Sequence, residues 1–122
     1  MAFELQGAGG IMSLLALADM TGSQFLAVAG DVASGAVVVN TSAGSRSLGV
    51  LQNNPRAGQP CSIWRGSSIT KWLAGATIAQ FANVTTDTAG KAKTATGGDI
   101  VHGVALEAGV TGALVTVALG GI

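Results

Sequence analysis

The chain has 122 residues, no net formal charge, and only 10% charged against 48% apolar residues. That length suits one domain with its own core, and that apolar content excludes disorder throughout. Six scattered basic residues leave no concentrated basic face for nucleic acid, and 19 glycines without a G-X-Y period exclude collagen.

Cys61 is the one cysteine, so no intrachain disulfide forms and a reducing compartment is expected. The apolar run Ile11 to Ala18 is too short to span a bilayer and lacks the basic flank of a signal peptide. A soluble protein made in the cytosol is expected, with no membrane partner. So few surface charges suit a crowded assembly better than a free monomer.

In chain order, "MAFELQGAGG" alternates Phe3 and Leu5 with Glu4 and Gln6 before a glycine joint. This is a strand pattern on a tethered arm. Ile11 to Met20 reads equally as a short helix capped at Ser13 or as an extended segment. From Gln24 onward the pattern is β. "QFLAVAGD" runs to a turn at Gly30-Asp31, "GAVVVN" follows, and "TSAGS" is a turn cluster. "LGVLQ" stops at Asn53-Asn54-Pro55, where Pro55 ends pairing. "PCSIW" is a strand turned by Arg65-Gly66, and "SITKWLAGATIAQF" reads as two short strands around Ala74-Gly75. "TTDTAGKAKTATGGD" is a polar hairpin region, and "IVHGVALE" and "GALVTVAL" are the last two strands, joined at Ala108-Gly109. Strand and turn signals at this spacing predict an all-β sandwich or barrel.

An internal echo divides the chain. Gly49, Val50 and Gly58 match Gly103, Val104 and Gly112 at an offset of 54, with Cys61 and Ile63 against Val115 and Val117. Two related halves are expected, near residues 30–70 and 71–122. Val115, Val117 and Leu119 form one face of the last strand, and Leu114, Thr116 and Ala118 form another that is hardly polar. A strand with one wet face alternates more clearly, so both faces are expected to be covered, the second by another subunit.

Assembled chemistry is not expected. His102 is the one histidine and has no ligand-spaced partners for a metal. Cys61 sits in an apolar strand without a base, and turn geometry accounts for Asp87 and Asp99. "GGIMSL" and "GGDIVHG" lack the lysine and the strand–loop–helix context of a phosphate loop. No catalytic, metal or cofactor site is assigned. Trp64 and Trp72 serve either a core or an interface, where Trp is enriched.

The linked segments "LGVLQNNPRAGQP", "RGSSITKWLAGATI" and "TTDTAGKAKTATGGDIVHGVALEAG…GALVTVALGG" resemble the capsid decoration, or head cement, proteins of tailed bacteriophages, of the small β-rich type. The resemblance runs from about Gln24 to Gly121. It implies a non-enzymatic virion protein on the outer surface of the expanded icosahedral head. It also implies the major capsid protein as partner, and a homo-oligomer, often a trimer, that cements neighbouring capsomers. The architecture expected is a small, partly open β-barrel or sandwich of β-tulip or SH3-like type, with an arm at 1–23 and a decoration domain at 24–122. The arm is expected to bind through Phe3, Leu5, Ile11, Met12, Leu14 and Leu15. Arg56, Trp64, Arg65 and Trp72 are candidate oligomer or capsid contacts. Two other readings are a self-assembling shell or fibre subunit and a small β-barrel carrier or regulatory module. The carrier needs a modifiable lysine at a tight exposed turn, whereas Lys71 lies in a strand pattern.

Overall fold

Short alternating runs such as Cys61–Ile63 and Val115–Val117–Leu119 turn every second side chain inward, the period of a β-strand. A computed structural model describes residues 11–120, which contain ten strands and no helix: β1 (Ile11–Leu15), β2 (Ala27–Gly30), β3 (Val37–Val39), β4 (Gly49–Leu51), β5 (Pro60–Trp64), β6 (Ile69–Leu73), β7 (Asn83–Thr86), β8 (Ala92–Thr94), β9 (Gly103–Ala105) and β10 (Leu114–Leu119). They form two five-stranded sheets, ordered β1-β5-β4-β2-β3 and β6-β10-β9-β7-β8, with every pairing antiparallel. The all-β architecture is therefore a pair of sheets, neither closed into a barrel. Each curls until its outer strands touch at one parallel bridge, Ala16 with Val37 and Ala74 with Ala92.

The second order is the first with five added to every strand, so the halves share one topology. Registers agree in detail. Val50 faces Trp64 and Leu51 faces Ile63, as Val104 faces Ala118 and Ala105 faces Val117, all at an offset of 54. Gly49 and Gly103 stand where a Cβ would strike a carbonyl of the next strand, that of Trp64 and that of Ala118. Gly58 and Gly112 both turn with positive φ, at 78° and 87°. The division falls at the turn of residues 65–68, slightly before the 70/71 boundary read from the echo.

Two cores form, one around each sheet. Val28, Val37, Leu51, Cys61 and Ile63 fill the first sheet, with Met12 and Leu14 packed against them. The second core gathers Trp72, Ile78, Val84, Val115, Val117 and Leu119, together with Ala27 and Val50 from the first half. The back of the first sheet thus plugs the mouth of the second. This explains why β4 is buried at every residue: Leu51 faces one core and Val50 the other.

Two expectations change. Residues 11–15 are not part of a free arm; they are β1, paired with β5 from Ile11–Trp64 to Leu15–Pro60. Ala16 and Met20 are buried in the first core, because the first sheet needs an outer strand to cover Cys61 and Ile63. Phe3 and Leu5 lie outside the described residues. The stretch after Gly75 does not form the second strand expected within Ser68–Phe81. It makes only the isolated bridge Ile78–Gly109, whose two N–H groups donate across it at 2.8 and 3.0 Å.

Candidate interaction surfaces

Among the described residues no three His, Cys, Asp or Glu side chains come together as a metal site. Cys61 is buried, and burial pushes its thiol pKa up, away from the nucleophilic thiolate. The aspartates serve turns: Asp31 accepts from Ser34, Asp87 from the N–H groups of Ala89 and Lys91, and Asp99 from Thr96. The Thr96 N–H also holds the Asp99 carboxyl below its ordinary pKa, with Lys93 3.7 Å away adding to this. Lys71 and Glu107 form an exposed pair at 3.8 Å. A shallow groove of about 230 Å³ runs along β1 and β5, lined by Met12, Ser13, Asn53, Pro60, Cys61 and Ser62. It holds no titratable group apart from the buried thiol.

His102 is a structural link between the halves. Its Nδ1 lies 2.8 Å from the Ile100 carbonyl, which can only accept, so Nδ1 carries the proton. Nε2 then accepts from the Ser47 hydroxyl of the first half at 2.8 Å. Ser47 Oγ in turn accepts from Asn40 Nδ2 at 2.9 Å, and Thr85 Oγ1 lies 3.2 Å from Nδ1. The ring tilts against Trp72 with centroids 5.6 Å apart. Burial lowers its pKa, so the imidazole is neutral.

The candidate contact residues separate. Trp72 is fully buried and its indole N–H donates to the Gly90 carbonyl at 2.9 Å. As a core residue of the second half it offers no outside surface, because Ala27 and Val50 of the first half close over it. Arg56 is exposed in the β4–β5 turn. Trp64 and Arg65 are partly exposed at the end of β5, where Arg65 reaches Met12 Sδ at 3.8 Å. Met12 and Leu14 are half-buried, whereas Leu15 is 54% exposed.

The apolar surface extends beyond the expected contact residues. Phe81 is 68% exposed, Val110 64%, and Val32 fully exposed; Leu17, Ile69 and Leu114 are also out. Phe81 stands with φ 65°, and its counterpart Phe25 with φ 68°. A bulky side chain rarely takes that left-handed backbone. The signal was available, since "QFLAV" at 24–28 returns as "QFANV" at 80–84.

No curated protein matches this sequence. Among solved structures, the crystal structure of the head fibre gp8.5 N base in bacteriophage phi29 superposes with a TM-score of 0.71, covering 90% of this chain and 92% of that one at 18% identity. At that identity the likeness is one of fold. The family model described as phage cement protein matches residues 20–121, nearly the whole of both sheets, and the chain belongs to the phage cement protein family.

Proposed function

We propose that this protein is a non-enzymatic structural component of the phage head that binds the outer surface of the expanded shell and bridges neighbouring capsomers as a homo-oligomer of three copies. The observation that carries the reading is the family match across 20–121. It fits a body in which Asp31, Asp87 and Asp99 hold turns and His102 links the halves, and which still exposes Leu15, Phe81 and Val110. The phi29 protein of similar fold is the N base of a head fibre, so the fold also serves in another protein of a phage head.

Bridging suits weak, repeated contacts. Burying one large apolar side chain contributes roughly 1.5–3 kcal/mol, and ordering each flexible residue costs about 1–2 kcal/mol. A single arm through Phe3 and Leu5 therefore binds weakly, and several tethered on one oligomer bind well. The glycine joint at Gly7–Gly10 lets an arm add a strand to a sheet edge of the major capsid protein. Arg56, Trp64 and Arg65 offer a second contact on the body.

The test mixes purified protein with expanded empty heads that lack it, followed by sedimentation and electron microscopy. Saturable density over capsomer junctions, and heads that resist heating better, are the expected results. Protein that stays in the supernatant at every concentration would overturn the reading. A chain starting at Ile11 separates arm from body: undiminished decoration by that variant assigns the contact to the body, with Arg56, Trp64 and Arg65 the next residues to substitute.

A further inference from the structure

The contact between the halves is head to tail, so it leaves one copy of each of its surfaces unused. The back of the first half meets the mouth of the second. Leu73 N–H donates to the Phe25 carbonyl at 3.0 Å, and Ala27 N–H to the Gly90 carbonyl at 2.7 Å. Gly44 N–H donates to the Thr86 carbonyl at 3.0 Å, and Val50 sinks into the second core. Every one of these positions has a counterpart in the other half. Phe25, Ala27, Gly44 and Val50 correspond to Phe81, Asn83, Gly98 and Val104. Leu73, Thr86 and Gly90 correspond to Leu15, Gly30 and Gly35.

Most of the counterparts are out in the open, and Val104 is half-buried where Val50 is fully buried. Phe81 is 68% and Leu15 54% exposed, while Asn83, Gly98, Gly30 and Gly35 are exposed as well. The glycines make the same point. At Gly90 a Cβ would meet Val39, Leu26 and the Ala27 carbonyl, and at Gly44 it would meet Asp99; at Gly35 and Gly98, with the same positive φ, it would meet nothing within 4 Å. The back of the second half thus keeps the shape that the first half uses for docking. The mouth of the first half keeps the shape that receives it, with Met12 and Leu14 half-buried at the positions of Thr70 and Trp72.

We infer that a second copy of this chain docks its first-half mouth, centred on Leu15 and Gly35, onto the second-half back of its neighbour, centred on Phe81 and Asn83, repeating between chains the contact made within one. Such a contact is heterologous: copies add in one direction, into a closed ring when the rotation permits and an open row otherwise. It explains why an aromatic ring is held in a costly left-handed backbone at Phe81, where its own chain leaves it exposed. The inference rests on the reading of the protein as a homo-oligomer and names the surface by which the copies meet.

The experiment compares Leu15→Glu, Phe81→Asp and an equimolar mixture of the two with the wild type by sedimentation equilibrium, with circular dichroism to verify folding. Both side chains are exposed, and Asp tolerates positive φ better than Phe, so both variants fold. The wild type is expected to be oligomeric and each variant alone monomeric. The mixture is expected to stop at a pair, because the first variant keeps an intact Phe81 surface, the second an intact Leu15 surface, and the other junction sets Glu against Asp. A two-fold symmetric contact would give no such rescue. Variants that keep the wild-type mass would overturn the surface and leave the homo-oligomer standing. A monomeric wild type would overturn both; if Phe81→Asp then also lost decoration of heads, the occupant of that face would be the capsid protein.

Discussion

At the scale of single residues, Trp72 and His102 fasten the halves together. Trp72 fills the second core and donates to Gly90, whose carbonyl also accepts from Ala27. Trp72→Ala is expected to cost about 3–5 kcal/mol, the usual range for a buried aromatic, read as a fall in the denaturant midpoint. Trp72→Phe, which keeps most of the volume, is expected to cost markedly less. His102 makes stability depend on pH. Burial lowers its folded pKa below the 6.5 of a free imidazole, so the unfolded chain binds the proton more readily. The contribution is therefore full above 6.5 and is lost as pH falls through 6.5 toward the lower folded value. Protonation would set an N–H against Ser47 Oγ, which already accepts from Asn40. Midpoints measured across this window are expected to drop on the acid side in the wild type and to flatten in His102→Gln. An equal drop in that variant would assign the effect to other groups. The lowered carboxyls of Asp19 and Asp99 do not blur the window, because they release their contribution only below 3.8.

At the scale of elements, the duplication was legible where the loops are equal and hidden where they are not. The β4–β5 and β9–β10 turns have the same length, so one offset of 54 carries from Gly49 to Ile63 and from Gly103 to Val117. The β6–β7 connection is two residues shorter than β1–β2, and β7–β8 and β8–β9 are each one shorter than their counterparts. The offset drifts to 58 at β1 and stands at 56 for the Phe25–Phe81 pair, out of step with the 54 of the clearer echo. The place of β1 is hidden for a different reason. An apolar run after a glycine joint looks the same whether it lies on a partner or on its own sheet, and only the need of Cys61 and Ile63 for cover decides. Trp72 likewise alternates correctly on either face, and only the first half closing over it makes it core. Two outcomes follow for these elements. A chain starting at Ile11 keeps every strand pairing described here and folds, whereas one starting at Thr21 loses β1, Ala16 and Met20 and is expected to be unfolded by circular dichroism. Gly49→Ala and Gly103→Ala are each expected to cost roughly 1–3 kcal/mol, as overpacking does, because a Cβ at either site meets backbone that cannot yield. Losses of similar size at the two sites would mark them as one structural position used twice.

At the scale of the whole molecule, the halves repeat one topology but are not independent domains. The first core closes on residues of its own half, while the second counts Ala27 and Val50 among its fully buried members. Four further polar links cross the boundary: Ile100 N–H to the Gly44 carbonyl, Gly44 N–H to Thr86, Gln52 to Thr70, and His102 with Ser47. Removing the first half would open Trp72 and its neighbours to water and leave those donors and acceptors to solvent. Losing Val50 alone forgoes roughly 1.5–3 kcal/mol of burial, a large share of the 5–15 kcal/mol that holds an ordinary domain. The protein is therefore expected to unfold in one transition, and the two tryptophans test this directly because one stands in each half. In Trp72→Phe the fluorescence reports Trp64 and the first sheet; in Trp64→Phe it reports Trp72 and the second core. Within each variant the fluorescence midpoint is expected to coincide with that from circular dichroism, whatever the variant's own stability. The isolated segment 65–122 is expected to show no cooperative transition. A fluorescence midpoint displaced from the circular dichroism midpoint in either variant, or a folded 65–122, would mean that the second half closes its own core and that the first half only rests against it.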